Sequence, residues 1–327
     1  MPELNQASHL DLFTLARFRL TIEAITPLHL PPYKGSALRG LFGQVFRRVV
    51  CPLRNQDCQD CVLQQKCVYA YIFETIPPPN DPFLQKIGKM DKAPHPFIIR
   101  PPLEERRDYE PGEQLTFELI LIGRARDYLP YFAYTFMEMG KTGLGTGRGK
   151  FLLSRIDCLG QDGARECLYL AADQQLRNNI ITLTGAELLP TSSPPSRCTF
   201  RFLTRLRLRI KRKYLTELHF GVLFRHLLQR LAVLAYLHCG LDCSALDFQG
   251  LRSAAYEVQR VSTNLYWEDL RRFSNRQQRH TPLGGLRGEI TFAGNLAPFW
   301  PFLCLGEQVH VGKGTSFGLG QYQLIHS

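Results

Sequence analysis

The feature that most constrains how this chain can fold is a serial order of parts that occurs twice. Phe13–Ile25 reads "FTLARFRLTIEAI", in which Phe18, Leu20, Ile22 and Ala24 alternate with Arg17, Arg19, Thr21 and Glu23. Phe200–Lys213 reads "FRFLTRLRLRIKRK". There Phe200, Phe202, Leu206, Leu208 and Ile210 share one face, while Arg201, Arg205, Arg207, Arg209, Lys211 and Lys213 share the other. A period of two sends successive side chains to opposite faces, so each stretch predicts a strand with one buried face. Each is followed by a helical pattern: Gly35–Val50 in the first half, and His219–Leu237 in the second, with Phe220, Leu223, Phe224, Leu227, Leu231 and Leu234 at helical spacing. Another strand comes next (Gln114–Gly123; Leu286–Gly294), then a second helix (Asp127–Gly140; Leu296–Gly306). A glycine loop and a last strand close each half (Gly140–Leu153; Gly312–Ile325).

Strand, helix, strands, helix, strand is the order of a ferredoxin-like, or RRM-like, βαββαβ unit. Two copies predict an α+β protein of two tandem units, each closed by a glycine-rich loop. A chain of 327 residues is long enough for two cores. Proline-rich breaks fall at Glu74–Pro82, Arg100–Glu105 and Leu189–Arg197. The last precedes the fresh strand at Phe200, which places a domain boundary near residue 193 and divides the chain into 1–192 and 193–327.

The glycine loops invite a nucleotide reading, because "GKT" stands at Gly140–Thr142 and "GKGT" at Gly312–Thr315. A P-loop needs a glycine five residues earlier, where this chain has Thr135 and Glu307. It also needs a strand before and a helix after, so that phosphate meets a helix N-terminus. The order here is helix first and strand second, which excludes a nucleotide or dinucleotide cofactor. What remains is a backbone loop that carries cations beside a sheet: Lys141, Arg148 and Lys150 in one half, Lys313 in the other. Such loops let phosphates and riboses approach the amides while cations neutralise charge, and with a net charge of +11 that points to a nucleic-acid chain. A tight turn packed on the helix is the structural alternative for either loop alone.

No uninterrupted apolar span is present: Phe220–Leu237 contains Arg225, His226, Gln229 and Arg230. "MPELNQASHLDLF" lacks a basic stretch followed by an apolar one. A cytoplasmic protein without a membrane partner is therefore expected, and its ten cysteines belong to a reducing compartment. Four of them are clustered as Cys51-x6-Cys58-x2-Cys61-x5-Cys67. A Cys-x2-Cys pair with two flanking thiols can close a tetrahedral thiolate site, so a small structural zinc insertion is expected, with an iron–sulfur cluster as the rival and free thiols as the plain alternative.

Taken together, the double βαββαβ order, the charge and the glycine loops resemble the CRISPR-associated endoribonucleases of the RAMP superfamily, which cut precursor CRISPR RNA. The likeness spans nearly the whole chain. It is carried by "HVGKGTSFGLGQY" at the end and by Arg271–Phe292, "RRFSNRQQRHTPLGGLRGEITF", before it. In the first half it rests on "LPPYKGSALRGLFG", "HPFIIRPP" and "GLGTGRGKF". The resemblance implies metal-independent cleavage within the CRISPR repeat by attack of a 2′-hydroxyl, leaving a 2′,3′-cyclic phosphate and a 5′-hydroxyl. It also implies repeat RNA as partner, and CRISPR effector subunits as further partners. A non-catalytic RNA-binding subunit on the same fold is the rival, and a general RNA-binding protein a third reading.

Cleavage of that kind needs a base on the 2′-hydroxyl, an acid at the leaving oxygen and a cation for the phosphorane. His29, in "PLHLPPYKG" at the junction of first strand and first helix, is the expected base, where many family members place theirs. Lys34 is the expected electrostatic stabiliser and Tyr33 a positioning hydroxyl; a loop histidine packed on two prolines is the alternative. His310, just before the C-terminal glycine loop, is the second choice. His226 and Arg230 lie four apart on the long helix and read as a solvated pair. RNA contacts are expected from Lys141 and Arg148, from Arg271, Arg272, Arg276, His280 and Arg287 in the basic stretch, and from His310, Gly312, Lys313, Gly314, Gly318 and Gly320. Six cations on one face of Phe200–Lys213 repel one another without an anion, which makes that face a second basic surface.

Overall fold

The computed structural model describes residues 8–53, 56–78, 80–88, 93–189, 193–274 and 279–326. The chain forms two compact units. One comprises Leu15–Pro79 and Met90–Leu183; the other comprises Met1–Thr14, Asn80–Lys89 and Thr184–Ser327. The division near residue 184 falls somewhat before the sequence-based one at 193. The second unit also takes in a short helix, Pro82–Ile87, which lies far upstream of it in the chain. Asp81 caps that helix by accepting from the Leu84 amide and also accepts a hydrogen bond from the Tyr236 hydroxyl at 2.7 Å.

In the first unit the strands are β1 (Thr14–Ala24), β2 (Leu28–His29), β3 (Phe97–Arg100), β4 (Asp108–Tyr109), β5 (Gln114–Ile122), β6 (Phe151–Leu159) and β7 (Arg165–Leu170). The helices are α1 (Gly35–Val50) and α2 (Leu129–Thr142). The main sheet runs β3-β5-β1-β6-β7, every pairing antiparallel. Leaving aside β7, this is the second-third-first-fourth strand order of a ferredoxin-like unit. The alternation in β1 is realised: Phe18, Leu20 and Ile22 are fully buried. Helices α1 and α2 pack together through rings at their apolar positions. Phe42 meets Phe132 and Phe136 at 5.0 Å each and Phe46 at 5.2 Å, a geometry aromatic pairs favour.

The second unit repeats the plan with β8 (Arg197–Leu206), α3 (Phe220–Leu234), α4 (Phe248–Ala255), β9 (Gln259–Glu268), β10 (Arg271–Ser274), β11 (Arg279–Pro282), β12 (Gly285–Ala293), α5 (Trp300–Val309) and β13 (Tyr322–Ile325). Its sheet order is β9-β12-β8-β13, again second-third-first-fourth and antiparallel. The duplication read from the sequence is therefore a duplication of topology. Phe200, Phe202, Phe220, Phe224, Phe292 and Phe299 form the ring-rich centre of its core. The stretch Phe220–Cys239 is long and apolar enough to cross a membrane by length and composition, and 72% of its most apolar window is buried inside the protein.

Two expectations are corrected here. The strand expected over Phe200–Lys213 stops at Leu206; beyond it Arg209–Ile210 and Lys213–Tyr214 pair as a small hairpin whose turn residues, Lys211 and Arg212, have positive φ. Its cations are also not left facing one another. Arg201 pairs with Glu289 at 2.6 Å, Arg205 with Glu268 at 3.0 Å, and Arg207 is buried with its guanidinium over the Tyr214 ring. Glu289 sits on the adjacent strand β12 and Glu268 on β9 beyond it, positions that a scan along one strand does not connect.

Candidate active site and nucleic-acid interface

Near His29 the chain alternates strictly: Leu28 and Leu30 are buried, and His29 points to solvent with 57% of its side chain exposed. β2 pairs with β4 in the register Leu28↔Tyr109 and His29↔Asp108. Residues directly opposite on antiparallel strands bring their side chains together, and the His29 Nδ1 lies 2.8 Å from Asp108 Oδ1. A carboxylate can only accept, so Nδ1 carries the hydrogen and the lone pair is left on Nε2. Sequence reasoning missed Asp108. "RRDYEPG" carries no signal of its own, and only the two-residue strand pairing brings it to His29.

The other edge of β2 is held by the first glycine loop. The Thr146 amide donates to the His29 carbonyl at 2.9 Å, and the two residues form a β-bridge. A Cβ on Gly145 would stand 2.2 Å from that carbonyl oxygen, and Gly145 has φ of +77°, so only glycine lets the loop lie against His29. Arg148, with φ of +53°, is exposed on this loop. Lys150 is spent inside the fold: its Nζ donates to the carbonyls of Lys141 and Thr142, capping the end of α2. Lys141 pairs with Glu138 at 2.6 Å, which raises its pKa.

Lys34 lies elsewhere than expected. It is fully buried, its Nζ donates to the Glu104 carbonyl at 2.8 Å, and burial lowers its pKa against the opposing pull of Glu104 and Glu105. It ties the start of α1 to the segment ahead of β4. The Tyr109 hydroxyl, whose pKa burial raises, donates to the Glu104 carboxylate at 2.8 Å in the same network. Tyr33 is half-buried beside Lys34, and its carbonyl accepts from the Ser36 hydroxyl at 3.5 Å.

In the second unit His310 ends α5 with φ of +59° and 0% exposure, its Nδ1 3.3 Å from the Leu319 carbonyl. Arg230, read from sequence as half of a solvated pair, is buried; its Nε donates to the carbonyls of Val309 at 2.9 Å and His310 at 3.2 Å. His226 is desolvated, and burial, aided by Arg225 and Lys313, pulls its pKa down to about 4. Gly312, Gly314, Gly318 and Gly320 all have positive φ. Their loop is tied to β8, with the Thr204 hydroxyl donating to the Gly318 carbonyl and the Gly320 amide donating to the Arg205 carbonyl. Lys313 is its exposed cation.

The basic stretch forms an extended arm. β9 is exposed along almost its whole length and pairs with β12. Beyond them β10 and β11 continue as a two-stranded ribbon in the register Arg271↔Pro282 and Phe273↔His280, which also places Arg272 and Arg279 on it. Arg276 lies outside the described residues. Arg287 on β12 is held by Glu268 at 3.1 Å.

Of the four clustered cysteines, Cys51 is buried and Cys58, Cys61 and Cys67 are partly exposed. Among the described residues no three His, Cys, Asp or Glu side chains stand together as ligands. Cys58 has its thiol pushed up by burial and then by Glu74, with Cys51 and Cys67 adding to it. The zinc or iron–sulfur insertion stays a reading of the cysteine spacing, and no step below depends on it.

Two family models match this chain. One, AF_1859_N, is an N-terminal domain and matches residues 12–181; the other, CRISPR-associated endoribonuclease Cas6, matches residues 200–322. Duplicated ferredoxin-like units, each with a glycine loop between last helix and last strand, fit the RAMP-type resemblance read from the sequence. By the first match the chain belongs to the AF_1859_N family, and its second unit is similar to the CRISPR-associated endoribonuclease Cas6 over residues 200–322. An uncharacterized protein of Archaeoglobus fulgidus is 31% identical over 148 residues, 45% of this chain and 48% of that protein. Among solved structures, a partial Cas6-RT-Cas1–Cas2 complex matches with a TM-score of 0.57 and 14% identity, over 96% of this chain and 46% of that one. A Thermus thermophilus Cas6 in its product complex matches with a TM-score of 0.54 and 17% identity, over 95% of this chain and 99% of that one. At such identities the likeness is one of fold. The chain spans just under half the length of the curated relative and of the first of these structures.

Proposed function

We propose that this chain is an endoribonuclease that cuts precursor CRISPR RNA within its repeat, without a catalytic metal. The observation that carries the reading is the solvent-facing His29–Asp108 pair, held at the rim of a glycine loop. His29 Nε2 takes the proton of the 2′-hydroxyl as its oxygen bonds to phosphorus. The bond from phosphorus to the 5′ oxygen breaks, and that oxygen takes up a proton from water, which the His29 imidazolium restores, giving a 2′,3′-cyclic phosphate and a 5′-hydroxyl. Asp108 orients the ring and balances the imidazolium that forms. Arg148, exposed on the adjoining loop, is better placed than buried Lys34 to meet the phosphorane charge. In this reading Lys34 builds the floor of the site, and the Tyr33 hydroxyl positions the strand. The arm of β9–β12, with Lys313, supplies the RNA contacts.

The test is incubation with the cognate repeat RNA in EDTA, under single turnover, for the wild type, His29→Ala, Asp108→Ala and Asp108→Glu. Cleavage ending in a cyclic phosphate, lost in His29→Ala with RNA affinity kept, supports the assignment. Asp108→Ala is expected to slow the step about tenfold, with partial recovery in Asp108→Glu. Binding without cleavage by the wild type would instead make the chain a non-catalytic RNA-binding subunit, and co-purification with CRISPR effector proteins would then be its natural readout.

A further inference from the structure

A second feature of the first unit is left unused by this chemistry: a row of tyrosines on the outer side of its helices. α2 buries Phe132, Ala133, Phe136 and Met139 and turns Tyr131 and Tyr134 outward, with 44% and 51% exposure. These are the only large exposed apolar side chains on the helix. A helix ordinarily covers its solvent face with charged residues. The row continues off the helix, with Tyr128 6.2 Å from Tyr131 and 5.5 Å from Tyr71 between ring centroids.

Tyr71 sits in a π-helical turn, Ala70–Glu74, around which three guanidinium groups lie over rings. Arg124 stands over Tyr71 at 5.5 Å, Arg39 over Phe73 at 4.9 Å, and Arg47 over Tyr69 at 5.6 Å. Arg48 reaches the far end of α2, donating to the Thr142 hydroxyl at 2.8 Å. Two carboxylates of this region are already matched, Asp127 by Arg126 and Glu138 by Lys141. Arg124, over Tyr71, and Arg48, at Thr142, bring guanidinium groups to the two ends of α2. Flat polar-tipped rings interleaved with arginines, in place of exposed leucine or isoleucine, suit bases and phosphates better than an apolar protein face.

We propose that this surface is a stacking platform for single-stranded RNA, with bases on Tyr131, Tyr134 and Tyr128 and phosphates toward Arg124 and Arg48. The identification of that strand as the unpaired flank of the processed RNA rests on the function proposed above. The stacking itself does not. Stacking on a ring is tolerant of sequence, so the platform would hold whatever flank emerges from the cleaved segment.

The test uses the full chain and a fluorescein-labelled oligouridine, which contains no repeat. Tyr131→Ala with Tyr134→Ala is expected to weaken its binding about tenfold or more, while Tyr131→Phe with Tyr134→Phe stays near wild type. Arg124→Ala is expected to lower the slope of log affinity against log salt by about 0.7. Repeat RNA trimmed of its flanks should be cut by the alanine pair at the wild-type rate, and unchanged urea midpoints would show that both exposed substitutions leave the fold intact. Unchanged oligouridine affinity in the alanine pair overturns the proposal and makes the face a protein-docking surface. An equal loss in the phenylalanine pair also overturns it, because stacking does not need the hydroxyl. A wild type that binds oligouridine and cuts nothing would remove the nuclease reading and leave the platform standing.

Discussion

The two units place different side chains at one shared junction. In each, a residue following the first strand of the sheet receives a backbone amide from the glycine loop. The Thr146 amide donates to the His29 carbonyl at 2.9 Å, and the Lys313 amide to the Arg207 carbonyl at 2.8 Å. In each, a glycine of the loop lies too close to that carbonyl to carry a Cβ, 2.2 Å at Gly145 and 2.6 Å at Gly312. The side chains then part ways. His29 faces solvent with Asp108, whereas Arg207 is buried, stacks over Tyr214 at 4.5 Å and donates to the Pro282 carbonyl at 2.9 Å. The helix exits differ too: Gly143 takes the positive φ in the first unit and buried His310 takes it in the second. A non-glycine residue there stores strain of roughly 1–3 kcal/mol, which the enclosed ring and the Arg230 contacts hold in place. Duplication preserved a backbone device, and the residue set upon it decides whether the junction is open for chemistry or closed as structure.

Exchanging the same kind of substitution between the two junctions tests this most severely. His29→Ala is expected to cut the cleavage rate by a factor of about 100 or more, with an unchanged urea midpoint. Arg207→Ala is expected to do the reverse. It removes a buried donor from the Pro282 carbonyl and a ring contact, costing about 1–3 kcal/mol of stability while folded protein still cleaves. A rate loss in Arg207→Ala equal to that in His29→Ala, with the fold intact, would break the distinction.

The closed character of the second junction has a pH signature. His226 stands close enough to Lys313 to feel its charge, and its pKa is about 4 in the fold against an ordinary 6.5. Between those values the unfolded chain binds more protons than the folded one, so stability rises with pH across that window and is lost as pH falls through it. The shift corresponds to at most about 3 kcal/mol. Urea titrations from acid to neutral pH should show this slope, and His226→Leu should flatten it. A slope that survives the substitution would place the proton uptake elsewhere.

How far the sequence was legible follows from the range of each signal. Strand alternation and helix spacing are local, and they revealed both βαββαβ units and the serial place of both glycine loops. His29 was singled out because its setting between first strand and first helix is also local. Asp108 was not, because a two-residue strand pairing brings it across 79 positions. Lys34 looked like a free cation beside His29, yet its burial depends on a carbonyl of Glu104, in a loop 70 positions away. The cations of β8 looked unmatched because Glu268 and Glu289 lie on strands that the sequence does not show to share its sheet. Pairing across the sheet, which determines whether a charge is used or available, was the illegible part.

Within the open junction, two neighbouring glycines separate close approach from backbone conformation alone. Gly145→Ala must displace the His29 carbonyl as well as adopt φ of +77°, so a stability loss toward 3 kcal/mol and slower cleavage are expected. Gly147 has nearly the same φ, +79°, with nothing within 4 Å of an added Cβ. Gly147→Ala should therefore cost only the left-handed conformation, about 1 kcal/mol, and leave the cleavage rate unchanged. Paired urea melts and single-turnover rates would read both effects. If Gly147→Ala slowed cleavage as much as Gly145→Ala, the loop would be acting by direct contact with RNA at its tip, and support of the His29 backbone would not be its main contribution.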